Sequence, residues 1–138
     1  MRGLPNDRPG TWFVRILSLG FIGLGLLFLI APRAGAALFG LAAPDGEGFG
    51  YLPAVGLRDI AFGLYLLILS FMATQRALGL IFAATLVIPI GDLVIVGAAR
   101  GSEALFNLLL HGASAAVLAT GAIWLLSSSE HDNKGGNT

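Results

Sequence analysis

Four apolar stretches, Trp12–Ala31, Leu52–Ala73, Ala77–Ala99 and Ala104–Leu126, each approach the roughly 20 residues that an α-helix needs to cross a bilayer. No other feature of the sequence constrains the fold as strongly. Backbone groups in hydrocarbon find no water, so each stretch must bond its own N–H and C=O groups and is predicted to be a helix. The sequence is 56% hydrophobic and 12% charged, where a soluble domain carries about 25% charged residues. That leaves too little polar surface to cover a water-facing globule. The expected fold is therefore all-α: an integral membrane four-helix bundle forming one domain over residues 1–126, followed by a polar, disordered tail over 127–138. The localisation expected is multi-pass, in a plasma membrane or the endoplasmic reticulum.

The breaks between the stretches carry turn chemistry: "APRAGA", "ATQRA" and "AARGSEA". Only the first connection is long, from Pro32 to Tyr51, and it is predicted to carry a short interfacial helix over Ala34–Leu41. Arg2, Arg8, Arg15, Arg76 and Lys134 flank one side of the spans, and Arg33 and Arg100 the other, which predicts both termini on the cytoplasmic side. Trp12 and Trp124 stand near that same side, as interface anchors do. The basic start followed by an apolar run and "AGAA" imitates a signal peptide, but the run is long for one, so it is read as a span.

Several chemistries are disfavoured at once. The formal net charge is zero and no basic patch is present, so a nucleic-acid partner is not expected. Cysteine is absent, which removes disulfides and thiolate chemistry, and two histidines without a ligand motif give no metal site. No cofactor is expected. The partners expected are the lipid bilayer, a lipophilic small molecule and, through Pro89 and the small residues, a second copy in a homodimer.

Against this apolar background the ionisable residues inside the spans stand out. A charge at the bilayer centre costs about 2.5–3.5 kcal/mol on insertion scales, so such residues mark functional sites by default. Arg58 and Asp59 lie about two turns into the second span; Asp92 lies two turns before the end of the third, and His111 two turns into the fourth. In an up-down bundle all four originate about 10 Å below the same face. The first span contributes Gly23-Leu24-Gly25 at that level, where missing side chains admit a neighbouring helix or a ligand. Asn107 and Ser114 share a helix face with His111, and Tyr65 lies two turns deeper on the face of Arg58. Pro89, just before Asp92, interrupts the third helix and frees a carbonyl near Thr85.

Arg58 and Asp59 are neighbours in a helix, so their side chains diverge by about 100° and each needs a partner elsewhere. Arg58 with Asp92, and Asp59 with His111 or Asn107, is one consistent assignment. One Arg, two Asp and a neutral His sum to minus one. A desolvated net charge is costly, so His111 holds a proton or one carboxyl keeps its own. The plainer reading is that the layer only locks the helices in register, and a transport reading makes it a proton or ion relay. The relay would need polar groups continuing across the membrane, and beyond Ser18, Ser70, Thr85 and Thr120 there are few.

"GLRDIAFGLYLLI" in the second span, "GD" in the third and the histidine of the fourth resemble a family of small four-helix membrane proteins of bacteria and fungi whose function is unknown. The resemblance covers most of the chain from the first span to Trp124 and implies the fold without an activity. In size the chain is also similar to small membrane proteins of fungal polyketide and terpenoid pathways that act as epoxide-opening hydrolases, cyclases or isomerases. Direct water attack on an epoxide needs a carboxylate to activate water and a carboxylic acid to protonate the oxygen, with a cation between them to hold their proton affinities apart. Limonene-type epoxide hydrolases use an Asp–Arg–Asp set with Asn and Tyr on an unrelated fold. By that likeness Asp59 and Asp92 are the expected acid and base, Arg58 the orienting cation, His111 a further catalytic group, and Asn107, Tyr65 and Ser114 substrate- or water-binding residues. The expected function is hydrolysis or cyclisation of an epoxide on a lipophilic molecule; the alternatives are the relay and a structural subunit.

Overall fold

The computed structural model describes residues 10–135. Within them every regular element is a helix, with no strand. Helix α1 runs over Thr11–Ile30, α2 over Pro32–Phe39, α3 over Tyr51–Met72, α4 over Gln75–Thr85, α5 over Val87–Arg100 and α6 over Leu105–Gly135. Short 3-10 turns at Gly46–Gly50 and Gly101–Ala104 lead into α3 and α6. α4 and α5 form one bent rod, so α1, α3, α4–α5 and α6 make four rods. Arg2, Arg8 and the last three residues of the expected tail lie outside the described residues.

Three helical stretches are long and apolar enough to cross a membrane: Thr11–Ile30, Gly46–Met72 and Gln75–Ser128. The last, 54 residues long, would extend for about 80 Å as a single helix. It instead folds back at Gly101, whose φ of 55° a side chain would strain, so that α6 packs along α4 and α5. The outer surface is apolar: Ile30 is 80% exposed and Met72 81%.

The helices pack as two tight pairs, α1 with α3 and α6 with α4–α5. Glycines set the first pair. A Cβ on Gly25 would stand 2.5 Å from the Gly56 carbonyl oxygen, one on Gly56 2.6 Å from that of Gly25, and one on Gly63 2.7 Å from that of Ser18. The backbones thus meet through small residues, the way helices associate when their surroundings are as apolar as their interface. Between the pairs, Val14, Leu66, Leu78, Phe82, Leu118 and Leu125 form a closed core toward the end where α1 begins. There Phe13 contacts Phe82 and Trp124 at ring-centroid distances of 6.0 and 6.1 Å, and Trp12 meets Trp124 at 6.5 Å. Arg15 donates from Nε to Ser70 Oγ at 3.4 Å and stacks on Phe71, joining the start of α1 to the end of α3.

Two local features depart from the sequence expectation. The long first connection does carry a helix, but it starts earlier, at Pro32: proline at the first turn has no N–H to lose. At the other end α6 runs nine residues past Leu126, through most of the segment expected to be a disordered tail, to Gly135. Nothing breaks it earlier, and the Ser127 and Ser128 hydroxyls bond back to the Trp124 carbonyl.

Candidate functional site

At the α2 end the two helix pairs part, and a cavity of about 440 Å³ lies between them. The parting follows from the bend in the third rod. Pro89 has no N–H to give Thr85, so α4 ends there, Leu86 N bonds Ala83 O in a tighter turn, and α5 follows from Val87. The bend sets Ile88 and Pro89 on the cavity wall, with Asp92 one turn beyond. Phe21, Leu24 and Phe28 of α1 line the opposite wall, and Leu38 and Phe39 of α2 cover the end.

Asp59, Asp92 and His111, from three different rods, all line this cavity. His111 is 8% exposed. Its Nε2 lies 2.8 Å from the Phe39 carbonyl oxygen, and a carbonyl only accepts, so Nε2 carries the hydrogen. Nδ1 then faces Asp92 Oδ2 at 3.5 Å. A bare Nδ1 lone pair and an ionised carboxylate would repel there. The pair therefore holds one further proton, on the ring or on the carboxyl. Asp59 makes no hydrogen bond or ion pair with the described residues and lines the cavity within electrostatic reach of Asp92.

The remaining expected site residues are placed differently. Arg58 is exposed, is not part of the cavity wall and pairs with neither aspartate; the partner of Asp92 is His111. One helical step separates Arg58 from Asp59, so when Asp59 turns inward Arg58 turns out. Tyr65, on the Arg58 face, is 62% exposed and likewise outside the cavity. Ser114 lines the cavity, but its hydroxyl is given to the Leu110 carbonyl at 2.9 Å. Ser18, Ser70 and Thr85 also donate to their own helices, so these hydroxyls do not prolong a polar path. In α1, Gly25 serves the contact with α3, while nothing lies within 4 Å of a Cβ on Gly23.

Asn107 is buried beside the cavity and not in its wall, where it holds α2. Its Nδ2 donates to the Ala37 and Leu38 carbonyls at 3.0 and 2.8 Å. His111 takes the Phe39 carbonyl, and Arg100 Nη1 donates to that of Gly40 at 3.2 Å. The carbonyls that a helix leaves unbonded at its C-terminus are thus met by three side chains from α5 and α6. Gly40, at φ 109°, ends α2 in a left-handed turn, and a Cβ there would press on Asn107 at 2.8 Å. From the sequence Arg100 counts only as a flanking charge, and Gly40 has no expected part. A glycine closing the short run "AALF" is the sequence signal for this cap.

An all-helical bundle with three membrane-length helices and an apolar cavity holding two carboxyls and an imidazole is the class of protein these features define. The chain belongs to the family described as a domain of unknown function (DUF4267), whose model matches residues 18–125. The match spans every residue of the cavity wall except Leu17. No curated protein and no solved structure matches the chain.

Proposed function

We propose that this protein is a multi-pass membrane enzyme that performs acid/base chemistry on a lipophilic small molecule inside the cavity. The observation that carries the reading is the meeting of Asp59 with the Asp92–His111 pair in an otherwise apolar space of ligand size. Four membrane-crossing rods, both termini on the cytoplasmic side, and the plasma membrane or endoplasmic reticulum as host belong to the same proposal.

Epoxide opening, by hydrolysis or cyclisation, is the specific form. In hydrolysis the pair's further proton is on the His111 ring, and the ionised Asp92 carboxylate takes a proton from water as its oxygen attacks one epoxide carbon. The C–O bond breaks, and Asp59 in its acid form delivers a proton to the departing oxygen. Proton exchange then returns the pair and Asp59 to their starting states. The cation beside the base is His111, in the part first given to Arg58. The apolar wall keeps bulk water from competing with the substrate.

The test is turnover of a medium-chain epoxyalkane by protein in lipid nanodiscs. Asp92→Asn and Asp59→Asn are each expected to lower kcat about 100-fold or more while the melting profile stays that of the native protein. Native turnover in both folded variants would refute the enzymatic reading.

A second reading has its own support in the bonds from Asn107, His111 and Arg100 to α2. On that reading the polar layer is a lock that seats α2, and Asp92 merely orients His111. It predicts that His111→Ala releases α2, and that no lipophile occupies the cavity.

A further inference from the structure

The α2 end of the cavity is covered by Leu38 and Phe39, with α2 bonded across its last carbonyls and Phe39 packed edge-on against the His111 ring at 5.2 Å. The flank is built otherwise. α1 and α6 approach each other only sparsely, as do α3 and α5 on the other flank, but there the side chains of Val55 and Ile88 occupy the wall. Along the α1–α6 seam the cavity wall is made of Gly20 on α1 and Ala113, Ser114 and Val117 on α6, all exposed. A Cβ on Gly20 would meet nothing within 4 Å. These residues lie in the middle of their helices, level with the hydrocarbon in the proposed membrane placement. Polarity inside is graded too. Asp59, Asp92 and His111 gather near α2, and Leu17, Phe21 and Leu118 line the space leading away from it.

The geometry points to a lateral portal between α1 and α6 at Gly20 and Ala113, through which a single-chain lipophile with an uncharged oxygen head passes from the bilayer into the cavity. Its head lies against Asp59 and the Asp92–His111 pair, and its chain lies along α1 toward the seam. An anionic head is disfavoured, since among the described residues of the cavity wall no Lys or Arg is present and His111 is already committed to Asp92. The inference rests on the small-molecule reading above and adds to it the substrate class and its route.

The experiment is photo-crosslinking in nanodiscs with two diazirine-bearing probes of equal chain length, a fatty alcohol and a fatty acid, mapped by peptide mass spectrometry. The alcohol is expected to label α1 and α6 around Leu24 and Leu118 at least tenfold more than the acid. Gly20→Trp, and separately Ala113→Trp, is expected to cut that labelling at least tenfold with the melting temperature preserved. Equal labelling by both probes would overturn the head-group assignment. Undiminished labelling in both folded tryptophan variants would overturn the portal while leaving an occupied cavity in place. Absence of cavity labelling by either probe would overturn the inference outright. Because the readout is occupancy, these outcomes are separate from the turnover test of Asp92→Asn.

Discussion

At the end where α1 begins, Phe13, Phe82, Trp12 and Trp124 meet ring against ring over Val14, Leu78 and Leu125. At the opposite end the same four rods enclose a cavity beside Pro89, covered by a short helix held by three polar side chains. The first end gains its order from contact between apolar surfaces, which is strong only in sum. The second gains it from a few directional bonds in a low-dielectric setting, where each partner left unmet is expensive. The contrast teaches where tolerance and function divide. The packed end sets the pairing of the rods, and the open end has room for a ligand and proton-carrying groups to act on it.

Three substitutions probe that contrast, in decreasing order of effect. Phe82→Ala strikes the packed end: the ring is fully buried and touches Phe13. It is expected to cost about 3–5 kcal/mol, read as a fall in the melting temperature of detergent-solubilised protein. A loss below about 1 kcal/mol would mean that the packed end is not the stabilising half. Asn107→Leu strikes the open end and strands the Ala37 and Leu38 carbonyls. It is expected to cost about 1–3 kcal/mol, with the loss local: amide exchange should rise in α2 and stay native around Phe82. Uniform acceleration along the chain would break the division into two ends.

The smallest effect is expected at Arg33, whose guanidinium lies 3.9 Å from Asp45 with both side chains mostly exposed. Arg33→Ala should change stability by no more than about 1 kcal/mol and leave α2 exchange untouched. A larger change, or release of α2, would show that α2 depends on its own loop as well as on α5 and α6.

How much of this was legible in the sequence differs between the same two ends. The helices start within about two residues of the apolar stretches, because a backbone without water has to close its own bonds. The common level of Asp59, Asp92 and His111 follows from helical rise along antiparallel rods, and the break near Thr85 follows from Pro89. Rotation was not legible. A helix apolar on all sides does not announce its inner face, so nothing in "GLRDIAF" told whether Arg58 or Asp59 turns inward; the glycines Gly56 and Gly63, pressed on α1, decide it. The docking of α2 was hidden for another reason. Arg100, Asn107 and His111 meet backbone carbonyls about 60–70 residues away in sequence, and carbonyls leave no trace in the residue alphabet.

The ring of His111 offers the most direct test of the whole account, through nitrogen-15 NMR of the imidazole in nanodiscs. With its hydrogen given to the Phe39 carbonyl, Nε2 is expected to appear protonated. Nδ1 is expected to shift on Asp92→Asn, and α2 to stay seated. A hydrogen found on Nδ1 alone, or an Nδ1 signal indifferent to Asp92, would contradict the shared-proton pair on which the proposed chemistry stands.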